Sequence, residues 1–202
     1  MPTVVIPFAG IEGKTRLHTS RRARRALSLA MLGDVLSASA VVGDAKVVTA
    51  DSEAEALVAE LGATSVSDPG GGQGCAVAAA LAQLEPGAIL VVNADVPCVV
   101  PNDLRALLAA TPAGGVALVQ ALDGTTNALS LSAHQLFAPL YGRDSAARFR
   151  AHVSGLGLDA VSVAIPNLCD DVDTLDDLER IQLRCGPRTQ ACLAELPAET
   201  VR

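Results

Sequence analysis

Along the chain, short continuous apolar runs alternate with stretches in which apolar residues recur every three or four positions. The first pattern fits strands buried on both faces and the second fits amphipathic helices. Thr3–Phe8 (TVVIPF) predicts a first buried strand, followed by a polar loop from Ala9 to Ser20. Thr19 or Ser20 can cap a helix over about Arg21–Ala38, whose apolar face holds Ala23, Ala26, Leu27, Ala30, Met31 and Val35. Lys46–Ala50 predicts a second strand, and Ser52–Leu61 a helix begun by Asp51 or Ser52. Thr64–Ser67 is a short strand that runs into Asp68-Pro69-Gly70-Gly71-Gly72-Gln73-Gly74 and an Ala-rich helix, Cys75–Leu84. Ala88–Val92 is a further buried strand that turns abruptly polar at Asn93 and Asp95. A helix restarts at Pro101–Ala110, with proline in its first turn as expected. Gly115–Ala121 and Ala128–Ser132 read as strands flanking Asp123-Gly124-Thr125-Thr126-Asn127. Asp144–Val153 reads as a helix, Ala160–Ile165 as a strand and Leu175–Arg184 as a last helix; beyond Gly186-Pro187 the chain is weakly helical at most.

Strands alternating with helices predict an α/β fold with a mostly parallel central sheet and helices on both faces. The hairpin-like pair around Gly124 predicts one antiparallel excursion. The expected organisation is one domain over residues 1–185 and a tail over 186–202. A chain of 202 residues buries roughly 70% of its unfolded surface and needs neither disulfide nor metal to fold.

Composition narrows the function classes. Trp is absent, with three Phe and one Tyr, so a base-stacking nucleic-acid surface is not expected. The net charge of −7 also argues against general affinity for polyanions. Five cysteines without C-x-x-C or zinc spacing read as reduced thiols. No basic segment precedes an apolar stretch at the N-terminus, and no apolar run reaches membrane-spanning length. A cytoplasmic protein with no membrane partner is the expectation.

The candidate chemistry lies in the loops that follow strands, where open α/β sheets bind ligands. Asp95 sits just past a buried strand; it could instead simply cap the turn at Pro97. Asp170, Asp171 and Asp173 form a second acidic group, and Asp171 and Asp173 project to the same side of an extended chain. Carboxylates together with phosphate oxygens suit Mg²⁺, although Asp173 or Thr174 could equally begin the last helix. The loop from Phe8 to Arg16 nearly matches the phosphate-wrapping G-x-x-x-x-G-K-T pattern, but Phe8 occupies the first glycine position. Its Gly10, Lys14 and Arg16 could still line a triphosphate, as could Gly71, Gly72 and Gln73 ahead of a helix. A solvated surface turn would carry the same residues. Arg21, Arg22, Arg24 and Arg25 read as a solvated helix face. The three histidines have no ligand spacing, and no G-x-S-x-G elbow is present.

Taken together these segments resemble the guanylyltransferases of deazaflavin coenzyme F-420 biosynthesis, which act on 2-phospho-L-lactate or phosphoenolpyruvate. The resemblance spans about residues 3–183. It is carried by Lys14-Thr15-Arg16-Leu17, Ala26–Leu36, Asp68–Gly72, Asn93-Ala94-Asp95-Val96-Pro97, Asp123–Leu129, Gly142 with Ser145, and Asp171-Val172-Asp173-Thr174. Two departures stand out: Phe8-Ala9 where the family has a Lys after the first strand's Pro, and Gln73-Gly74 where it has Leu-Asn. The second falls where base recognition is expected.

The resemblance implies a nucleotide-diphospho-sugar-transferase-like, Rossmann-like fold. It implies Mg²⁺ on Asp95, Asp171 and Asp173, GTP along Gly10, Lys14, Gly71, Gly72, Gln73 and Asn93, and catalytic roles for Lys14, Arg16 and Asp95. It implies acceptor binding by Thr126, Asn127, Gly142 and Ser145. The expected partners are GTP, phosphoenolpyruvate or 2-phospho-L-lactate, a downstream transferase and a second copy in a homodimer. The rival expectations are a related nucleotidyltransferase with another phosphorylated acceptor, a P-loop NTPase, and a GTP-binding domain without catalysis.

Overall fold

The computed structural model describes residues 1–10 and 17–196. Among these residues seven strands form one sheet: β1 (Thr3–Pro7), β2 (Asp44–Thr49), β3 (Thr64–Ser67), β4 (Ile89–Val92), β5 (Val116–Gln120), β6 (Thr126–Leu131) and β7 (Ala160–Ser162). Their order is β3-β2-β1-β4-β6-β5-β7. All neighbours are parallel except that β6 runs antiparallel to both β4 and β5. The expected mostly parallel α/β sheet with one antiparallel excursion is therefore what the chain forms.

The reason lies in the apolar runs. All four residues of β4 and the central residues of β1 are buried, because helices cover both faces. Helices α1 (Arg21–Ala40), α2 (Ser52–Glu60) and α4 (Pro101–Ala109) pack Leu32, Val35, Leu36, Val58, Leu104 and Leu107 against one face. Helices α3 (Gln73–Leu81) and α5 (Ser145–Gly155) pack Val77, Ala80, Phe149 and Val153 against the other. Local signals set the starts. Ser20 Oγ accepts from Ala23 N at 3.1 Å to open α1, and Asp51 Oδ1 accepts from the amides of Glu53 and Ala54 to open α2.

Some expected boundaries are corrected. The predicted strand to Ile165 stops at Ser162, and a short helix α6 (Pro166–Cys169) follows, because Pro166 fits a first helical turn. The last predicted helix divides into α7 (Leu175–Ile181) and a 3-10 turn over Gln182–Arg184. The expectation of a weakly helical tail is also corrected: Pro187–Glu195 forms α8, packed on α1. The reason is a contact remote in sequence. Buried Asp34 on α1 accepts from the amides of Arg188 and Thr189 at 3.0 and 2.8 Å, capping α8 from outside. A third apolar cluster closes this layer, with Leu27 and Met31 of α1 against Val172, Leu178, Ile181 and Cys185. Arg25 is also less solvated than predicted, since it pairs with Asp51 and Glu53. Among the described residues no helix is long and apolar enough to cross a membrane.

Candidate active site

The site forms where β1, β3 and β4 end and β6 begins. Antiparallel β6 matters here. Its first residues, Thr126 and Asn127, lie at the same sheet edge as the residues after β4, and Asn93 N donates to Asn127 O at 2.9 Å. A parallel strand would have sent them to the opposite edge.

The distant carboxylates do converge. Asp95, Asp171 and Asp173 each offer an oxygen within 4.8 Å of the other two, and all three are half-buried. The segment is pinned by Val172 N, which donates to Asp95 O at 2.9 Å, while the Val172 side chain is buried beneath α1. Burial, followed by the nearby Asp95 charge, pushes the Asp171 carboxyl up from its ordinary 3.8 to about 6; the Asn127 hydrogen bond opposes that rise. A raised proton affinity caused partly by a like charge marks a place short of positive charge. Three hard oxygen donors fit Mg²⁺ rather than a soft metal. Asp170, the neighbour in the same acidic run, is not part of this trio. Arg180 and Arg184 both hold it at 2.5 Å. Thr174, rather than Asp173, caps the following helix, accepting from Asp177 N.

Two cavities meet at this trio. The first, about 480 Å³, is lined by Phe8, Gly10, Asp68, Gly70, Gly72 and Gln73 among others. The second, about 430 Å³, is lined by Asp123, Thr126, Tyr141, Gly142, Arg143 and Ser145 among others, together with Asp171 and Asp173. Gln73, Asn93 and Asp95 belong to both walls.

The floor of the first cavity depends on glycine. Gly70, Gly71 and Gly72 all adopt left-handed backbone (φ 80°, 86° and 90°) immediately before α3, a conformation costly for other residues. Gly70 and Gly72 line the cavity, whereas Gly71 turns toward Cys75, whose Sγ would lie 3.0 Å from a Cβ there. Among the described residues no side chain caps α3, so its first amides can face an anion. Gly74 is explained by packing, since a Cβ there would come within 2.8 Å of Pro139 Cβ.

In the second cavity Ser145 Oγ donates to Thr126 Oγ1 at 3.0 Å, and both residues are buried. Gly142 holds φ at 103° and its carbonyl accepts from Ser145 N at 3.0 Å. Asn127 differs from its expected role. It is buried and absent from both cavity walls, and its amide is engaged with Asn93, Cys169 and Asp171. Lys14 and Arg16 lie outside the described residues. Sequence reading did not single out Ser28 and Met31 as lining the first cavity, or Arg143 the second. The two on α1 carry no signal beyond helical spacing, and an isolated loop arginine has none either.

Residues 2–192 match the family described as Guanylyl transferase CofC like. A phosphoenolpyruvate guanylyltransferase of Streptomyces coelicolor is 37% identical, with 96% of each chain covered. One from Nocardia farcinica is 35% identical, covering 90% of this chain and 83% of the relative. Among solved structures, a protein of Desulfovibrio desulfuricans G20 assigned to the nucleotide-diphospho-sugar transferases superposes with a TM-score of 0.75 at 18% identity, covering 96% and 95% of the two chains. A nucleotidyl transferase from Methanothermobacter thermautotroptrophicus gives 0.64 at 18% identity, covering 97% and 99%. At such identity these two show the fold alone.

Proposed function

The chain belongs to the CofC-like guanylyl transferase family, and from that premise we propose that it transfers the guanylyl group of GTP to the phosphate of phosphoenolpyruvate, releasing pyrophosphate. The observation that carries this reading is that two cavities share one wall, Gln73, Asn93 and Asp95, beside the carboxylate trio. A donor in the first cavity and an acceptor in the second would meet there. Phosphoenolpyruvate is the favoured acceptor because the relatives from Streptomyces coelicolor and Nocardia farcinica carry its name.

In this reading the triphosphate lies on the Gly70–Gly72 loop and the first amides of α3, which offer oriented N–H groups. An acceptor phosphate oxygen forms a bond to the α-phosphorus of GTP. The bond from the α-phosphorus to the bridging oxygen breaks, and pyrophosphate leaves with that electron pair. The acceptor phosphate, with a second pKa near ~6, is already a dianion at neutral pH and needs no general base. Asp95, Asp171 and Asp173 would hold Mg²⁺, which supplies positive charge against the phosphates. Lys14 and Arg16 are assigned, from the sequence alone, to offset charge on the leaving pyrophosphate. Ser145 and Thr126 share one hydroxyl proton between them, which leaves the other to donate to the acceptor's carboxylate.

The test is mass spectrometry of the protein incubated with Mg²⁺, each of GTP, ATP and CTP, and each of phosphoenolpyruvate and 2-phospho-L-lactate. The expected product is the diphosphate that joins guanosine to enolpyruvate through the new P–O–P bond, formed with one pyrophosphate per product and lost on chelation of the metal. Asp95→Asn should abolish pyrophosphate release while the protein remains folded by circular dichroism. Release of free γ-phosphate instead, or near-wild-type turnover in Asp95→Asn, would overturn the reading.

A further inference from the structure

Behind the carboxylate trio three side-chain amides form a continuous chain. Gln73 Nε2 donates to Asn93 Oδ1 at 2.6 Å. Asn93 Nδ2 donates to Asn127 Oδ1 at 3.2 Å and to Thr126 O at 3.3 Å. Asn127 Nδ2 donates to Asp171 Oδ1 at 3.2 Å and to Cys169 O at 3.4 Å. The chain runs from the first residue of α3, directly after the three left-handed glycines, to a carboxylate of the trio.

Its polarity is not arbitrary. An ionised carboxylate only accepts, so Asn127 must turn its NH₂ toward Asp171. Its carbonyl then accepts from Asn93, and the Asn93 carbonyl in turn accepts from Gln73. Each amide is oriented by the next. Asn127 is buried at 1% exposure, where an amide pointed the wrong way would set acceptor against acceptor at considerable cost.

We propose that Asn127 is a positioning residue that fixes Asp171 for a divalent cation, and that Asn93 and Gln73 hold Asn127 in the one orientation that can do so. This rests on the reading of Asp95, Asp171 and Asp173 as a Mg²⁺ site. The acceptor, on this account, touches Thr126 but not Asn127. The glycine loop and the cation site are mechanically joined from Gln73 to Asp171 by way of Asn93 and Asn127. Partners of metal ligands typically contribute 10- to 100-fold in metal affinity.

The experiment measures Mn²⁺ binding to the full-length, nucleotide-free protein by electron paramagnetic resonance, with thermal unfolding as a check on folding. Asn127→Ala should weaken Mn²⁺ affinity by about 10-fold or more and leave the KM for phosphoenolpyruvate within about twofold. Gln73→Glu gives an opposed pair of outcomes. A new negative charge near the trio would by simple attraction tighten Mn²⁺ binding. Reversing the hydrogen-bond polarity at Gln73 instead forces Asn93 and then Asn127 to turn, setting a carbonyl against Asp171, so the relay requires weaker binding. Because Gln73 is half-buried at a helix start, this variant decides the matter even if Asn127→Ala does not fold. Unchanged affinity in a folded Asn127→Ala, or tighter binding in Gln73→Glu, overturns the relay. Wild-type protein that binds no Mn²⁺, with or without GTP, instead overturns the metal-site reading on which it rests.

Discussion

Removing the charge of Asp171 should stabilise the metal-free protein while destroying its activity. In the folded chain burial and the Asp95 carboxylate raise the Asp171 carboxyl from 3.8 to about 6. The sign follows from proton linkage. The unfolded chain releases this proton near its ordinary value and the folded chain only near 6, so between those values stability falls as pH rises. Above about pH 6 the cost is fully present, and below about pH 4 it is absent. At about 1.4 kcal/mol per tenfold change in proton affinity it approaches about 3 kcal/mol. The partial exposure of the trio and salt screening reduce this to about 2 kcal/mol. Asp171→Asn removes the charge but keeps an oxygen that can accept from Asn127. For a chain of this size, about 2 kcal/mol corresponds to a rise in Tm of roughly 4–8 °C. The assay is thermal unfolding of both proteins in chelator at pH 7.5 and pH 4.5. The variant should melt higher at pH 7.5, and the gap should shrink at pH 4.5. Saturating Mg²⁺ should raise the wild-type Tm and leave the variant nearly unmoved, and pyrophosphate release should be lost in the variant. A variant that melts lower than wild type at pH 7.5 in chelator, or a gap independent of pH, would refute the reasoning.

Four further outcomes are expected. Asp34→Ala strips α8 of its two buried amide acceptors and should cost about 2–3 kcal/mol, read as a shift in the denaturation midpoint. Gly71→Ala forces a side chain into left-handed backbone, with its Cβ 3.0 Å from Cys75 Sγ; it should lose about 1–2 kcal/mol and raise the KM for GTP. Gly62→Ala, equally left-handed but in open space, should lose stability only. Asp170→Asn breaks ion pairs to Arg180 and Arg184 and should cost about 1 kcal/mol. It should leave the Mg²⁺ concentration needed for half-maximal activity unchanged, because Asp170 lies outside the trio.

Much of this protein is determined by local sequence. The strands β1, β4 and β5 are short apolar runs, and such a run can be covered only by burial on both faces, so the α/β layering follows from pattern alone. Ser20, Asp51 and Pro101 mark helix starts because capping and proline geometry act within three or four residues. Asp95 at the end of β4, and the glycines before α3, were legible for the same reason. Strand ends and left-handed backbone are local properties. What tertiary structure decided was every relation across the chain. The antiparallel placement of β6 brings Thr126 and Asn127 beside Asn93. Val172 bridges to Asp95 and draws Asp171 and Asp173 into the trio, while Asp170, one residue away, is turned to Arg180 and Arg184. Asn127, expected at the acceptor, is buried behind Asp171 because the strand's alternation points it away from the cavity. The final helix reads as a weak tail because the acceptor that caps it, Asp34, lies on a helix more than 150 residues earlier. Hydrogen bonds of that separation leave no periodicity in a sequence. They exist only once the sheet has fixed which loops share an edge.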